Sequence, residues 1–293
     1  MRTHAFYFPL LSFPALWRES RSVTYTKGLD SRADIAKAIR NGLRGNDSKK
    51  TMYLSWIIPT YNEERRIEKT IREVAAYLHA KKFLGGYEII VSNSASTDRT
   101  AEVVGNLMKE IPCLRILNLE NRGKGWAVKQ GVLQATGDIR LFSDADNSTA
   151  PHYFDAMEPL FRQGYDVVIS SRDSKDAPDA SRDIKEQWYR ELLGNMGNLV
   201  IQIVGVWGIW DTQNGFKAVT AHAGQDIFSR TKMAGFSFDI EMLALAKKLT
   251  YRIGIIPIHW KYDPDSKVTL KSYIQVFIDV FKIRANFLRG TYS

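Results

Sequence analysis

The alternation that starts at Met52 constrains this chain more than any other feature. Short apolar runs each lead into a longer stretch whose apolar residues recur every three or four positions. Tyr53 to Ile58 reads as a buried strand, and Ile67, Ile71, Val74 and Leu78 share one face of the helix that follows. Strand Tyr87 to Ser92 leads to a helix from about Thr97, with Ser96 as its N-cap and Val103, Val104 and Leu107 turned inward. Strand Leu114 to Leu119 precedes helix Lys124 to Ala135, and strand Ile139 to Ser143 runs into Asp144-Ala145-Asp146. Helix Pro151 to Gln163 then precedes strand Asp166 to Ser171. This βαβαβαβ order predicts an α/β fold with a doubly wound, mostly parallel, Rossmann-like sheet that binds ligands at the carboxyl ends of its strands.

Beyond Arg172 the alternation breaks. A polar loop, a long helix from about Arg182 to Val206, a short segment at Phe216 to Val219 and a helix at Phe238 to Leu249 are expected. A strand from Arg252 to Trp260 and a terminal helix from Leu270 to Leu288 complete a C-terminal helical region. Residues 1–51 lack a sustained apolar period and end in the linker-like Asn46-Asp47-Ser48-Lys49-Lys50. They read as a basic extension, either dispensable or carrying a short helical arm around Ala33 to Leu43. The functional domain is expected over residues 52–293, with 52–150 as one half and 151–293 as the other.

Of the formal net charge of +9, the extension supplies +6, from ten Lys/Arg against four Asp/Glu, so the body is only mildly basic. That balance suits anionic partners without selecting one. Cys113 is the only cysteine, which excludes an intrachain disulfide, and no Cys/His spacing resembles a zinc site. A reducing compartment is the expectation. Ala5 to Trp17 and Leu199 to Trp210 are the longest nearly apolar stretches, and both fall short of the roughly 20 residues a spanning helix needs. Pro9, Pro14 and the lack of a small-x-small cleavage site argue against a secretory signal in the first.

Two motifs fall at predicted strand ends. Asp144 and Asp146 are two apart where a strand leaves the sheet, so both carboxylates point to one side and fit Mg²⁺ or Mn²⁺ bound with substrate phosphates; alternatively they form a solvated turn. Ile57-Ile58-Pro59-Thr60-Tyr61-Asn62-Glu63-Glu64 carries the first strand into a helix, whose starting N–H groups suit a phosphate and whose Tyr61 suits a base. An ordinary turn capped by Asn62 explains it equally well.

Taken with Asn121-Arg122-Gly123-Lys124-Gly125, Asp211-Thr212-Gln213-Asn214-Gly215-Phe216-Lys217 and Phe238-Asp239-Ile240-Glu241, these strings resemble the family 2 glycosyltransferases of the GT-A fold. Within that family they look most like the polyprenyl-phosphate sugar synthases, particularly the dolichyl-phosphate β-glucosyltransferases. The resemblance spans about Met52 to Arg289. It implies that residues 52–150 form the nucleotide-sugar half, with Pro59, Tyr61, Asn62 and Glu63 lining the nucleotide pocket and Lys124 near the diphosphate. Asp144 and Asp146 would take the metal, with Ser148 where some relatives place a third ligand. Arg172, Arg190 and Gln213 would meet the lipid phosphate. The family's DDGSxDxT stretch reads Ser92-Asn93-Ser94-Ala95-Ser96-Thr97-Asp98 here, so only the later Asp98 survives, and Asn93 offers a donor and an acceptor to a base edge.

The implied reaction moves a hexose from UDP-glucose or GDP-mannose to a polyprenyl phosphate, by in-line displacement with inversion. The acceptor is already anionic, so Asp239 and Glu241 would orient neighbours; with a hydroxyl acceptor one of them would be the base. Lipid access would be interfacial, through Leu199 to Trp210 with Trp207 and Trp210, and through the terminal helix, where Tyr273, Phe277, Phe281 and Phe287 lie near Lys271, Lys282, Arg284 and Arg289. The expected location is peripheral, on the cytoplasmic face of a membrane, with no nucleic acid partner. A soluble saccharide or protein acceptor is one alternative. A nucleotidyltransferase would carry a Gly-rich loop after the first strand, absent here, and a non-enzymatic basic binding module would tolerate Asp146→Asn.

Overall fold

The computed structural model describes residues 52–81, 83, 85–182, 200–260 and 270–293. The N-terminal extension, Arg190 and most of the long helix expected from Arg182 lie outside the described residues. The strands are β1 (Leu54–Thr60), β2 (Tyr87–Ser94), β3 (Leu114–Leu119), β4 (Ile139–Phe142), β5 (Val167–Ser171), β6 (Ser181–Arg182), β7 (Lys217–Thr220), β8 (Ile253–Pro257) and β9 (His259–Trp260). The α-helices are α1 (Ile67–Lys81), α2 (Thr100–Leu107), α3 (Lys124–Gln134), α4 (Phe154–Arg162), α5 (Ala221–Arg230), α6 (Phe238–Lys248) and α7 (Leu270–Leu288).

Strand β1 is buried at all seven positions, the signature of a sheet covered on both faces. Alternation along it sends Ile57 to one face, where it joins Val128 of α3, Phe228 of α5, Phe238 of α6 and Val280 of α7. Trp56 and Ile58 point the other way, onto Ile67, Ile71, Val74 and Leu78 of α1 and Phe154 of α4. The Trp56 indole N–H is satisfied inside the core, donating to Ser143 Oγ at 2.8 Å. Its ring meets Phe154 and Phe216 edge to face, at centroid distances of 6.5 and 5.7 Å.

The main sheet runs in the order β3-β2-β1-β4-β7-β5-β8. Its strands are parallel except β7, which is antiparallel to both β4 and β5. This is the mostly parallel, doubly wound arrangement that the alternation implies, and two properties of it create the site. The chain steps outward from β1 to β2 and β3, then returns to β4 on the other side of β1, which opens a crevice beyond the carboxyl ends of β1 and β4. Because β7 runs against its neighbours, its first residue lies beside the last of β4, with Lys217 paired to Phe142. The residues just before Lys217 are thereby delivered to the same edge. Periodicity marks such a segment as extended but carries no information on its direction.

Several boundaries move. Helix α2 begins at Thr100, and Ser96 does not cap it; the Asp98 carboxylate accepts from the Thr100 N–H at 3.0 Å instead. Pro151 opens a 3₁₀ turn, Pro151–Tyr153, ahead of α4. The strand expected from Arg252 to Trp260 divides into β8 and β9, the latter pairing with β6. Within the described end of the segment expected to be the long helix, Ile201–Gly205 forms a π-helical turn. Helix α7 has two apolar faces: Val280 and Ile283 are buried, while Ile274, Phe277, Ile278 and Phe281 are exposed.

Candidate active site

Asp144 leaves the end of β4 half-buried and faces the first residue of α3, with Lys124 Nζ 2.6 Å from Asp144 Oδ1. Glycines hold both partners. A Cβ on Gly215 would lie 2.1 Å from Asp144 Oδ2, so only glycine lets the segment before β7 close over this carboxylate. Gly123, at φ 138°, brings its backbone against Ala234, where a Cβ would sit 2.3 Å from the carbonyl oxygen. Gly125 likewise packs on Met233 and Phe238, which fixes the start of α3.

Burial works against the charged forms here, and the neighbours decide the outcome. For Asp144 burial is outweighed by Lys124, then Lys217 and Arg172, and its pKa falls. Lys124 is raised, because Asp144 and Asp239 overcome its burial. Asp146 is raised, first by burial and then by the charge of Asp144. Ser148 donates its N–H to Asp146 Oδ1 at 2.9 Å, and so orients that carboxylate. Two mutually repelling carboxylates supply hard oxygen donors, the set that fits Mg²⁺ or Mn²⁺ completed by phosphate oxygens and water. Among the described residues no third acidic, His or Cys side chain joins them.

At the end of β1 the expectation of a phosphate cradle meets a different arrangement. The N–H of Asn62 donates to Ser96 Oγ at 2.9 Å, that of Glu63 to Thr100 Oγ1 at 2.8 Å, and that of Glu64 to Asp98 Oδ2 at 3.1 Å. Three successive amides are thus bonded to the loop after β2. Asn62, at φ 54°, returns its Oδ1 to the Thr97 N–H at 2.8 Å. Asp98 and Asn62 therefore knit the two loops together, and Glu63 pairs with Arg66. Pro59 is buried within β1, in register with Ser92. Tyr61 projects at the rim, its ring 4.9 Å from the Arg122 guanidinium carbon.

Asn93 is buried at the end of β2 and donates from Nδ2 to Asn118 Oδ1 on β3 at 2.9 Å. Its Oδ1 has no partner, an orphaned acceptor aimed where β2 ends.

On the other side of β4, Arg172 follows β5 and forms a two-pronged pair with Asp211, Nε to Oδ2 and Nη2 to Oδ1, both at 2.8 Å. Trp260 lies against its guanidinium at 5.2 Å. Asp211 is held in turn by Asp176, which accepts its N–H at 2.7 Å. Gln213 is half-buried two residues along. Asp239 is buried and paired with Lys217, whose Nζ also donates to the Asn214 carbonyl. Burial disfavours charge on both partners, raising the Asp239 pKa and lowering that of Lys217. Glu241 is fully buried and accepts from the N–H groups of Lys232 and Met233 and from the Tyr292 hydroxyl at 2.6 Å. It anchors the 231–235 loop and the C-terminus, away from the crevice.

The model of the family described as "Glycosyl transferase family 2" matches residues 55–219, more than half of the chain. The chain belongs to this family. Among curated proteins it is 32% identical over 255 residues to a dolichyl-phosphate β-glucosyltransferase of Trichomonas vaginalis, covering 84% of this chain and 75% of that one. It is 34% identical to that of Dictyostelium discoideum, over 83% and 77% of the two chains, and 32% identical to that of Saccharomyces cerevisiae, over 88% and 82%. Solved structures share the fold at lower identity. Glucosyl-3-phosphoglycerate synthase of Mycobacterium tuberculosis, crystallised with Mn²⁺, UDP and phosphoglyceric acid, superposes with a TM-score of 0.60 at 16% identity, over 89% of this chain and 84% of that one. Mannosyl-3-phosphoglycerate synthase of Rubrobacter xylanophilus gives 0.60 at 18%, over 88% and 78%.

The sequence brought Asp144, Asp146, Lys124 and Arg172 to one edge, and the structure adds four residues that sequence reasoning passed over. Asp211 and Gly215 sit inside a string already singled out, and the lone glycine between Asn214 and Phe216 was a readable sign of close approach. Lys217 ends the same string, but its burial follows only from the antiparallel insertion of β7. Asn118 pairs with Asn93 through strand register alone.

Proposed function

We propose that this glycosyltransferase moves glucose from UDP-glucose to dolichyl phosphate, with inversion, at the crevice between β1 and β4. The observation that carries the choice of acceptor is the state of the two acids nearest to acting as bases. Asp239 is neutralised by Lys217, and Glu241 is fully occupied by backbone amides and Tyr292. A hydroxyl nucleophile needs a base in reach; a phosphate oxygen is already anionic. The similarity to dolichyl-phosphate β-glucosyltransferases over most of the chain supports the same acceptor and sugar.

Asp144 and Asp146 would hold Mg²⁺ or Mn²⁺, which when bound neutralises charge building on the departing diphosphate. Lys124 faces the same oxygens and adds a second positive charge there. Tyr61 and Arg122 flank the base, and the Asn93 and Asn118 side chains present an acceptor beside a donor, the complement of the N3–H and carbonyl edge of uracil. Pro59, Asn62, Glu63 and Asp98 hold the pocket wall. Arg172, kept in plane by Asp211 and Trp260, meets the acceptor phosphate, with Gln213 assigned to the same group and Arg190 assigned to it from the sequence resemblance alone.

Among the described residues no helix is long and apolar enough to cross a membrane. Lipid access is assigned to α7, where Phe277 and Phe281 are 47% and 48% exposed, and to Trp207, 67% exposed. Lys282 lies on the same helix and Arg289 follows its last residue, a pairing of aromatics and cations that suits the headgroup region of a cytoplasmic leaflet. Trp210 is covered by Lys175, whose Nζ is 3.9 Å from its ring, and Phe287 packs on Tyr292, so neither belongs to that surface.

The acceptor assignment is tested with a matched pair of short, water-soluble isoprenoids, one the phosphate and one the free alcohol. Glucose is expected on the phosphate only, with the β configuration by NMR. Transfer to the alcohol at a comparable rate would refute it.

A further inference from the structure

Lys124 has a second consequence. Its backbone is pinned by Gly123 and Gly125 against residues 233–235, and its ammonium sits 2.6 Å from Asp144 Oδ1. Asp144, Asp239 and Asp146 favour its charge, while Lys217 is a like charge acting against it. Of these, Asp239 has its own buried cation in Lys217. Arg66, paired with Glu63, also bears on Asp146 through its charge. Lys124 is therefore the ammonium in contact with the carboxylate pair, and it lies on an oxygen that a metal ion would use.

Given the metal-dependent transfer proposed above, we propose that Lys124 is the resident counter-cation of Asp144 and gates divalent-metal binding, giving up the carboxylate when a diphosphate arrives to receive its ammonium. With the ammonium on Asp144, the carboxylate pair and the lysine together offer a divalent ion one net negative charge, and the positive member lies at contact distance of an oxygen it would use. A nucleoside diphosphate brings enough negative charge to balance both cations. Metal and nucleotide thus enter as a coupled pair, and the coupling is reciprocal by thermodynamic necessity. Gly215 sharpens the competition, because it closes the far side of Asp144 and leaves the carboxylate no room to swing away from the lysine.

The test measures Mn²⁺ binding by the fall in the free-ion electron paramagnetic resonance signal, with and without UDP. It uses the full chain as wild type, Lys124→Met, Lys124→Gln and Arg66→Gln. Both Lys124 variants are expected to bind Mn²⁺ alone at least about tenfold more tightly than wild type, within the usual range of coupling between sites, and to gain less from UDP. Arg66→Gln, which removes a neighbouring charge without touching Asp144, is expected to gain far less. Equal effects of Arg66→Gln and the Lys124 variants, or no tightening in the latter, would overturn the gate. Amine footprinting of the wild type gives a readout free of substitutions: saturating Mn²⁺ alone should release Lys124 to acylation, and unchanged labelling would also overturn it. Mn²⁺ that fails to bind wild type even with UDP would sink the metal-dependent transfer as well, whereas binding indifferent to Lys124 would sink only the gate.

Discussion

Replacing Gly215 by alanine separates the geometry of the carboxylate from its chemistry. The added Cβ would sit 2.1 Å from Asp144 Oδ2 and 2.4 Å from its Cγ, where no real contact falls below 3.0 Å. The carboxylate, or the backbone before β7, must therefore move by about 0.9 Å. Displacement of a catalytic group by roughly 1 Å costs on the order of a hundredfold in rate, about 2.7 kcal/mol of transition-state stabilisation. The substitution removes no charged residue, and Gly215 takes no positive φ, so little backbone strain adds to the effect. Transfer of labelled glucose into an organic-extractable lipid, followed at saturating donor, is expected to show kcat about a hundredfold down in Gly215→Ala with a thermal midpoint within a few degrees of wild type. Activity within threefold of wild type would refute the placement of Asp144 at the reacting centre.

Glu241→Gln keeps an acceptor for the Lys232 and Met233 amides but weakens charge-assisted bonds. It should lower stability by about 2 kcal/mol, read as a melting shift of about 5 °C, with kcat within about threefold; a general base would cost about 10²-fold or more. Lys247 donates to the Trp207 carbonyl, and burial pushes its pKa down to about 8 from 10.5. The unfolded chain then holds a proton that the folded chain has released between those values, so wild-type stability should rise with pH across that window. Lys247→Met should lack this rise in denaturant titrations, and parallel curves for the two proteins would contradict it. Exchanging both Phe277 and Phe281 for serine removes two half-exposed rings worth about 1 kcal/mol each at an interface. Vesicle sedimentation should fall about tenfold or more while transfer to a soluble short-chain acceptor is retained; unchanged sedimentation would exclude α7 as the docking surface.

The succession of strands and helices along the chain as far as β5 was legible because each strand carries a short apolar run and helices carry apolar faces, as Ile67, Ile71, Val74 and Leu78 illustrate. The carboxylate pair stood out by its place after the fourth strand, since the two-residue spacing itself also occurs in solvated turns. What stayed hidden depends on direction and register. The antiparallel run of β7 carries Asp211, Gly215 and Lys217 to the edge, and nothing in the local pattern of Phe216 to Val219 encodes it. The choice between two readings of the turn after β1 stayed open for a related reason. Its amides looked available to a phosphate, but Ser96, Asp98 and Thr100, more than thirty residues on, take them. Glu241 shows the converse: an acid beside a catalytic string reads as chemistry until its partners, among them Tyr292 near the C-terminus, are seen.

Mass spectrometry of the lipid product tests the central claim most directly. The purified protein, Mn²⁺ and dolichyl phosphate are incubated separately with UDP-glucose and GDP-mannose, alongside an Asp146→Asn variant. A hexosyl phospholipid is expected from UDP-glucose and wild type, with at least about a hundredfold less from the variant. No lipid product from either donor, or product undiminished in Asp146→Asn, would contradict the account.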